Sequence, residues 1–199
     1  MQSELARKIL KAAVDLIAEQ GVRAMSFREV ARRAGVSHQA PYHHFGSAEG
    51  ILREIAREGF SALAREMAEA GTKEKDSVRA LEQSGGAYIR FALAHPGHFR
   101  VMFQNALVKI HDEKSPLKES EATYDTLVGF CRRVQEEGRA RHMSLEILTS
   151  LSWALVHGLA TLLVEEAMSR PEGLTPNEKT AVAESVIRGL GDSLRLAVS

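Results

Sequence analysis

The apolar residues of this chain recur at intervals of three and four, and this helical spacing constrains the fold more than any other feature. The first segment shows it most clearly, with Leu5, Ile9, Ala12, Ala13, Leu16 and Ile17. The signals of β-strands, which are period-two alternation and hairpin turns such as Asn-Gly, are missing from the sequence. The 199 residues suffice for one or two domains. We therefore predict an all-α protein of about nine helices.

Capping residues divide this pattern into helices. Gly21 and Gly35 are expected to end the first and second helices, and Ser26, Ser37 and Ser47 to start the second, third and fourth. Glu29 completes an S-x-x-E capping box with Ser26. After a polar stretch over 71–77, further helices are predicted at about 78–94, 97–107, 116–138, 144–168 and 176–198. The last three start at Ser115, at Ser144 and at a capping box of Thr175 and Glu178. The third helix ends near residue 44 and is therefore short.

Charge is distributed unevenly along the chain. The 26 Lys and Arg residues balance the 26 Asp and Glu residues, so the formal net charge is zero and a histone-like polycation is excluded. Residues 1–46, however, hold seven basic and four acidic residues, a net charge of +3. The other 153 residues then hold 19 basic and 22 acidic residues, a net charge of −3. A neutral total therefore conceals a basic N-terminal end, which suits a polyanionic partner.

Cysteine content and targeting signals favour the cytoplasm. Cys131 is the single cysteine, so no internal disulfide can form. The N-terminal residues MQSELARKIL mix charged and apolar side chains and lack the apolar core of a signal peptide. The stretch 147–164 has no charged residue over 18 positions, but its flanks are acidic and it contains Ser, Thr, His and Gly. We expect a helix buried by protein, at a subunit interface, and no membrane association.

The segment SFREVARRAGVSHQAPYHHF, residues 26–45, has the dimensions of a helix-turn-helix. Its first helix has an apolar face, and Ala40 and Phe45 are expected to point inward from the second. The outward-facing set of the second helix is predicted to be Ser37, His38, Gln39, Tyr42 and His43. Gln39 can pair with adenine in a major groove, and hydroxyl and imidazole groups can donate to phosphates. A purely structural helical hairpin explains the spacing nearly as well, but the coincidence with the basic end favours nucleic-acid binding.

Residues 5–64 resemble the DNA-binding domain of the TetR family of transcriptional regulators. The match consists of a first helix ending in Glu-Gln-Gly, a Ser-Phe-x-x-Val-Ala-x-x-Ala-Gly-Val-Ser run, Tyr-His-His-Phe-Gly and a Ser-capped fourth helix. The resemblance implies a DNA-binding domain over 1–46 and a ligand-binding and dimerisation domain over 47–199, with 47–70 as connector. It implies DNA contacts from residues of the second helix, the recognition helix and the start of the fourth helix: Ser26, Arg28, Ser37, His38, Gln39, Ala40, Tyr42, His43, His44 and Ser47.

Three features depart from the family pattern. Pro41 stands where leucine is common and is expected to remove the first backbone hydrogen bond of a short helix. Ala48 replaces a common phosphate-binding lysine, and Gly50 stands where Glu would complete a capping box. Lys and Arg are missing between residues 37 and 46, which instead contain three histidines. These histidines either charge against phosphates and make binding pH-sensitive, or act as neutral donors with one packed against the first helix.

Bulky side chains in the larger half are candidates for a ligand site. The set comprises Tyr88, Phe91, Phe99, Met102, Phe103, Tyr124, Phe130, Trp153 and His157. They can line an apolar cavity with Tyr124 and His157 as orienting polar groups, or they can be ordinary core residues. The segments around 95–103 and 153–158 resemble the TetR subgroup whose C-terminal domain is named for Trp, His and Gly. The resemblance implies a cavity for a small, largely apolar effector.

The two C-terminal helices, about 144–168 and 176–198, are predicted to carry more apolar surface than a monomer exposes. Leu190, Leu194, Leu196 and Val198 continue this pattern to the end. Pairing the two helices with their symmetry mates gives a four-helix homodimer interface. Motifs of metalloproteases, P-loop proteins and serine hydrolases are missing, so we expect no enzyme, no metal and no cofactor. The sequence predicts a repressor that binds a DNA operator; the alternative is a helical ligand-binding or scaffold protein with lost DNA recognition.

Overall fold

The structure, a computed structural model, describes residues 3–108, 116–168 and 173–196. Within these ranges the chain forms ten α-helices and no β-strand, which confirms the all-α prediction. The helices are α1 (Glu4–Gln20), α2 (Phe27–Ala34), α3 (Ala40–Phe45), α4 (Ala48–Thr72), α5 (Ser77–Ala94), α6 (Pro96–Met102), α7 (Asn105–Val108), α8 (Lys118–Glu136), α9 (Leu145–Val164) and α10 (Pro176–Leu196). A 3-10 turn at Val22–Ala24 follows α1.

The chain divides into two compact units. Unit 1 comprises Met1–Phe60 and His95–Ser120, and unit 2 comprises Ser61–Ala94 and Glu121–Ser199. Unit 1 therefore contains α1, α2, α3, α6, α7 and the first half of α4, while unit 2 contains α5, α9, α10 and most of α8. Helix α4 is continuous across the boundary at residue 60.

Most of the predicted capping residues are confirmed. The Ser26 and Ser144 hydroxyls accept from the N–H groups of Glu29 and Ile147 at 3.3 and 3.2 Å. The capping box at the start of α10 is complete, since the Glu178 carboxylate accepts from the Thr175 N–H at 2.9 Å and the Thr175 hydroxyl accepts from the Glu178 N–H at 3.3 Å. The predicted cap Ser115 and the helix end at 197–198 lie outside the described residues.

Two helices after α5 differ from the prediction. The expected helix over 97–107 is two short helices, α6 and α7, and this break raises the number of helices from nine to ten. Helix α9 ends at Val164 rather than near Met168, because Glu166 adopts a left-handed φ of 53° and the Ala167 N–H donates to the Leu162 carbonyl at 3.0 Å. This is a Schellman-type end that uses Glu where glycine is usual, so the sequence contains no signal for it.

The core of unit 1 is the apolar face of α1, on which α2 and α6 pack. Ile9, Ala13, Leu16 and Ile17 of α1 are fully buried. Helix α6 approaches α1 so closely that a β-carbon at Gly97 would collide with the Val14 backbone carbonyl. The contact surface between these two helices therefore depends on a residue without a side chain.

The core of unit 2 forms where α5 packs on α9 and α10. The apolar residues of α10 point into this core, with Ile187 6% and Leu194 2% exposed. This differs from the expectation that α10 exposes apolar surface, since its described exposed positions after Glu178 are small or polar: Thr180, Ala181, Glu184, Ser185, Arg188, Gly189, Asp192 and Ser193. Of the residues predicted to continue the apolar pattern, Val198 and the side chain of Leu196 lie outside the described part of the chain. For α9 the expectation holds, because Ile147, Leu151 and Leu162 are 52, 50 and 44% exposed.

Candidate nucleic-acid interface and ligand site

Helices α2 and α3 are joined by a tight turn centred on Gly35. Gly35 has φ 61° and ψ 41°, a left-handed conformation that ends α2 as predicted. The Val36 N–H donates to the Ala31 carbonyl at 3.0 Å and thereby satisfies one of the free carbonyls at the end of α2. On the inner side of α2 the residues Phe27, Val30 and Ala31 are buried. The two helices thus have the connection that the helix-turn-helix prediction required.

The start of the recognition helix α3 differs from the prediction. Ser37 is not its N-cap: residues 37–39 form a turn in which the Ala40 N–H donates to the Ser37 carbonyl at 3.1 Å, and the α-helix begins at Ala40. Pro41 is then the second helical residue, where the backbone N–H has no intrahelical acceptor in any helix, so Pro41 removes no hydrogen bond. Pro41 is also the buried residue of α3, whereas Ala40 and Phe45 are only half-buried.

The predicted DNA-contacting side chains share one property, which is exposure. All are exposed except Ala40, which is half-buried; the exposed set is Ser26, Arg28, Ser37, His38, Gln39, Tyr42, His43, His44 and Ser47. Tyr42 is 56% exposed, yet its ring packs edge-on against Phe27 at a centroid distance of 4.6 Å. This contact holds the Tyr42 ring against α2 and leaves its hydroxyl available to a phosphate.

The three histidines all lie at the surface. The rings of His43 and His44 are 6.5 Å apart, and the ring of His44 is 6.4 Å from that of Phe45. The expectation that one histidine packs against the first helix is therefore wrong, because the buried position in α3 is taken by Pro41. Their role in DNA binding stays a prediction.

Three of the seven basic residues in 1–46 form ion pairs. Lys11 pairs with Asp15 at 2.7 Å. Arg32 and Arg33 both pair with Glu29, at 2.6 and 3.1 Å, and the hydrogen bonds from these two guanidinium groups lower the pKa of Glu29 to about 2. The Glu29 carboxylate thus binds arginines rather than closing the predicted capping box with Ser26. Arg33 also pairs with Glu19 at 2.8 Å.

The net charge of +3 in this region is concentrated on cations outside these ion pairs. Three of its four acids are paired with the cations named above, which leaves Arg7, Lys8, Arg23 and Arg28 without an ion-pair partner among the described residues. Sequence reasoning did not single out Lys8, whose Nζ lies 4.0 Å from the position that a β-carbon would take at Gly35. Lys8 on α1 thus reaches the turn that precedes the recognition helix, a proximity that sequence spacing does not reveal.

The junction between α3 and α4 explains one departure from the family pattern. The Ser47 hydroxyl accepts from the Gly50 N–H at 3.1 Å, so Ser47 caps α4 as predicted. The Ser47 N–H itself donates to the Phe45 carbonyl at 2.7 Å. A β-carbon at Gly50 would collide with the oxygen of that same carbonyl. Gly50 therefore permits the tight junction, and the Glu of a capping box has neither room nor a donor there.

Four of the predicted ligand-site residues meet in unit 2. The Tyr88 hydroxyl lies 2.8 Å from His157 Nδ1, and the Trp153 ring lies 6.0 Å from Tyr124 and 6.2 Å from His157. Burial raises the pKa of Tyr88, partly opposed by a hydrogen bond from Trp153, and burial lowers the pKa of His157. Both shifts favour the neutral forms of the two side chains, which share a hydrogen bond between the Tyr88 hydroxyl and His157 Nδ1. Trp153 and Tyr124 are each 42% exposed, so the cluster has an accessible side.

The other predicted ligand-site residues belong to both units. Phe91 and Phe130 are core residues of unit 2, 2 and 5% exposed. Phe99, Met102 and Phe103 belong to unit 1, where the Phe103 ring lies 5.5 Å from both Phe99 and Phe60 of α4. Six of the nine residues thus belong to unit 2 and three to unit 1, and their role in ligand binding stays a prediction.

Reactive groups outside these sites are few in the described part of the chain. The rings of His95 and His98 are 6.0 Å apart, and Glu58 lies 3.9 Å from His98 Nε2, but no group of three potential ligands that could hold a metal occurs among the described residues. Cys131 is fully buried, with its Sγ 3.9 Å from the Ser152 hydroxyl, and burial raises the pKa of its thiol. This environment is that of an unreactive core cysteine.

Comparison with known proteins identifies both halves. Residues 9–55 match the family described as "Bacterial regulatory proteins, tetR family", and residues 81–190 match a "Tetracyclin repressor-like, C-terminal domain". The chain belongs to the TetR family. It is therefore a DNA-binding transcriptional regulator of the helix-turn-helix type, as the sequence predicted. The description of the C-terminal match does not name the Trp-His-Gly subgroup, which stays a prediction.

Individual relatives of this TetR-family regulator cover nearly all of its length. The "Uncharacterized HTH-type transcriptional regulator YobS" of Bacillus subtilis is 27% identical over 169 residues, 84% of this chain and 83% of YobS. The structure of the TetR-family regulator PfmR from Thermus thermophilus is 27% identical, covers 94% of this chain and 97% of its own, and has a TM-score of 0.68. FadR from Bacillus subtilis, solved in complex with stearoyl-CoA, is 16% identical over 92% of this chain and 96% of its own, with a TM-score of 0.70, which shows the common fold.

Proposed function

We propose that this regulator is a ligand-responsive repressor that binds a palindromic operator as a homodimer in the cytoplasm. The DNA-binding domain is formed by residues 1–46, and residues 47–199 bind the effector and dimerise, with residues 47–70 as connector. The observation that carries the proposal is the exposed row of donors along the turn and recognition helix, from Ser37 to His44, in a region whose acids are mostly paired. Gln39 reads a base edge, and Tyr42, His43 and Arg28 contact phosphates.

The homodimer forms through the exposed apolar face of α9. Ile147, Leu151 and Leu162 lie on this face, and Gly158 between them has no neighbouring atom within 4 Å of the position of a β-carbon. Helix α10 contributes small residues rather than apolar bulk, because Ala181, Ser185 and Gly189 are exposed at four-residue intervals. Apolar residues on one helix and small residues on the other suit a close four-helix packing. Burial in a dimer also explains why α9 is long and apolar enough for a membrane span.

The effector is a small, largely apolar molecule that binds at the Tyr88, Tyr124, Trp153 and His157 cluster. Two features support this assignment: the aromatic rings offer apolar surface, and the Tyr88–His157 hydrogen bond supplies oriented neutral polar groups. A regulator of the same fold, FadR, is known with stearoyl-CoA bound, which is an amphipathic molecule with a long apolar chain. Effector binding favours a different separation of the two DNA-binding domains and so releases the operator.

The decisive experiment selects bound duplexes from a random DNA pool with the full chain, and then measures operator affinity with and without candidate apolar effectors. We expect a palindromic site, salt-sensitive binding, and release by at least one effector class. Gln39→Ala should reduce the free energy of operator binding by about 1–3 kcal/mol for each base that Gln39 contacts, and it should relax specificity at one base pair of the operator. His142→Ala, an exposed change in unit 2, serves as control. Equally weak binding to every sequence would contradict the proposal and support the alternative, a ligand-binding or scaffold protein with lost DNA recognition.

The dimer is tested separately by sedimentation velocity. Leu151→Glu places a charge on the exposed face of α9, and we expect it to produce a monomer. Leu107→Glu makes the same change at a residue of similar exposure, 43%, on α7, and it should leave the dimer intact. A dimer that tolerates Leu151→Glu would exclude α9 as the interface.

A further inference from the structure

We propose that Lys8 of α1 is a phosphate-binding residue of this regulator, which nothing in its sequence motif assigns. The proposal rests on the DNA-binding function proposed above. It concerns the chemistry of the sugar-phosphate backbone of duplex DNA rather than base sequence. Three observations carry it: the position of Lys8, its lack of an ion-pair partner among the described residues, and the absence of cations from the recognition helix.

The position of Lys8 is the first argument. Its Nζ lies 4.0 Å from the position of a β-carbon at Gly35, in the turn that precedes the recognition segment 37–45. When a recognition helix enters a major groove, the residues that flank its N-terminal end face the phosphates at the edge of that groove. An ammonium group on a flexible four-carbon side chain can bind such a phosphate from the neighbouring helix.

Charge pairing is the second argument. Lys11, one turn further along the exposed side of α1, pairs with Asp15 at 2.7 Å. On α2, Arg32 and Arg33 pair with Glu29 at 2.6 and 3.1 Å, although Arg32 is 70% exposed. Each of these cations would have to leave a carboxylate to contact a phosphate. Lys8 is exposed and has no ion-pair partner among the described residues, so it makes no such exchange.

The composition of the recognition helix is the third argument. Residues 37–46 contain no Lys or Arg. A duplex carries a dense row of phosphates, and neutralising them supplies most of the sequence-independent affinity. In this protein that charge must come from elements beside the recognition helix. Arg7 and Lys8 of α1 and Arg28 of α2 are exposed cations without an ion-pair partner among the described residues, and of these Lys8 is the one found beside the recognition turn.

An alternative role for Lys8 is purely structural. An ammonium group near the end of α2 interacts favourably with the partial negative charge of a helix C-terminus. The two roles differ in what they change. A structural Lys8 affects the stability of the fold, whereas a phosphate-binding Lys8 affects the salt dependence of DNA binding.

The experiment compares Lys8→Gln with Lys11→Gln, which removes the same charge from the same helix. Operator affinity of the full chain is measured from about 50 to 200 mM salt, on the selected operator and on a scrambled duplex. For Lys8→Gln we expect the slope of log K against log salt to become shallower by about 0.9 per DNA-binding domain, or about 1.8 for a dimer. Both duplexes should weaken by the same factor. Lys11→Gln should keep the wild-type slope, and Lys8→Arg should restore it.

Three results would overturn the proposal. They are equal slopes for Lys8→Gln and Lys11→Gln, loss of affinity on the operator alone, and a lowered thermal stability with an unchanged slope. The last of these would establish the structural role at α2. Failure of the wild-type protein to bind any duplex would instead refute the proposed function, so the two failures are distinguishable.

Discussion

Replacement of Gly50 distinguishes two expectations for the stability of the DNA-binding region. One follows from the capping-box rule, and the other from the close contact between α3 and α4 at Gly50. By the capping-box rule, Gly50→Glu should stabilise α4, because a Glu three residues after Ser47 accepts from the free N–H of the cap. In the structure that N–H already donates to the Phe45 carbonyl at 2.7 Å. A β-carbon at Gly50 would also collide with the same carbonyl oxygen and lie 3.2 Å from its carbon. The structure therefore predicts a loss of stability.

The magnitude follows from two opposing contributions. Replacement of a helical glycine by alanine usually raises the free energy of unfolding by up to about 1 kcal/mol. Overpacking of a tight contact costs about 1–3 kcal/mol, and the neighbouring atom here is backbone, which cannot rotate away. We expect Gly50→Ala and Gly50→Glu to lower the free energy of unfolding by a similar amount, about 1–2 kcal/mol, because the β-carbon common to both is the cause. For a chain of this length that is about 2–8 °C in melting temperature.

The assay is urea and thermal unfolding of the two variants beside a matched control. Gly129→Ala on α8 changes a helical glycine with no neighbouring atom within 4 Å, so it should gain up to about 1 kcal/mol. Phe45 is the last residue of the recognition helix. The backbone shift that relieves the collision should therefore also displace this helix and weaken operator binding. If Gly50→Glu is more stable than Gly50→Ala by about 1 kcal/mol, the capping rule is correct and this reading of the junction is wrong.

Two further predictions concern buried and paired groups. Glu29 has a pKa of about 2 in the folded protein against an ordinary value of 4.5, so its contribution to stability is present above pH 4.5 and is lost as the pH falls towards 2. Urea unfolding of wild type and Glu29→Gln should therefore differ at pH 6 and converge near pH 2; a constant difference would contradict the pairing. The Ser84 hydroxyl is buried without a hydrogen-bond partner among the described residues, so Ser84→Ala should be neutral or stabilise by about 1–3 kcal/mol in thermal unfolding. A loss above about 1 kcal/mol would reveal a partner for this hydroxyl.

Local signals in the sequence located most helix ends, because the chemistry of a cap involves residues within one turn. Ser26 and Ser144 act as N-caps and the Thr175–Glu178 box is complete, as predicted, although Glu29 does not close the box with Ser26. The start of α3 was misplaced for a related reason. Ser37 has the residue type of a cap, but the chain from 37 to 39 turns through the Ser37 backbone carbonyl instead, and Pro41 supplies the buried contact. Residue type alone does not distinguish these two ways of beginning a helix.

The exposure of the candidate DNA-binding residues was predictable, whereas the electrostatics of the region were not. Exposure follows from helical periodicity, which placed Gln39, Tyr42 and His43 outside correctly. The pairing of Glu19 with Arg33 joins residues 14 positions apart on different helices, at 2.8 Å. A count of charges along the chain cannot reveal such a pair. The basic character of this end therefore resides in different side chains from those that the sequence makes conspicuous.

The division of the predicted ligand-site residues bears on how an effector could control DNA binding. Helix α6, which carries Phe99 and Met102, packs on α1 and belongs to unit 1, while the Tyr88–His157 cluster belongs to unit 2. The chain crosses between the two units three times: within the uninterrupted helix α4, at the break between α5 and α6, where His95 has φ −128° and ψ 55°, and within the uninterrupted helix α8 after Ser120. A continuous helix transmits a rotation along its axis, whereas a break between helices can absorb one. Under the proposed function we therefore expect the effector signal to follow α4 and α8, and α6 to move with α1, on which it is packed.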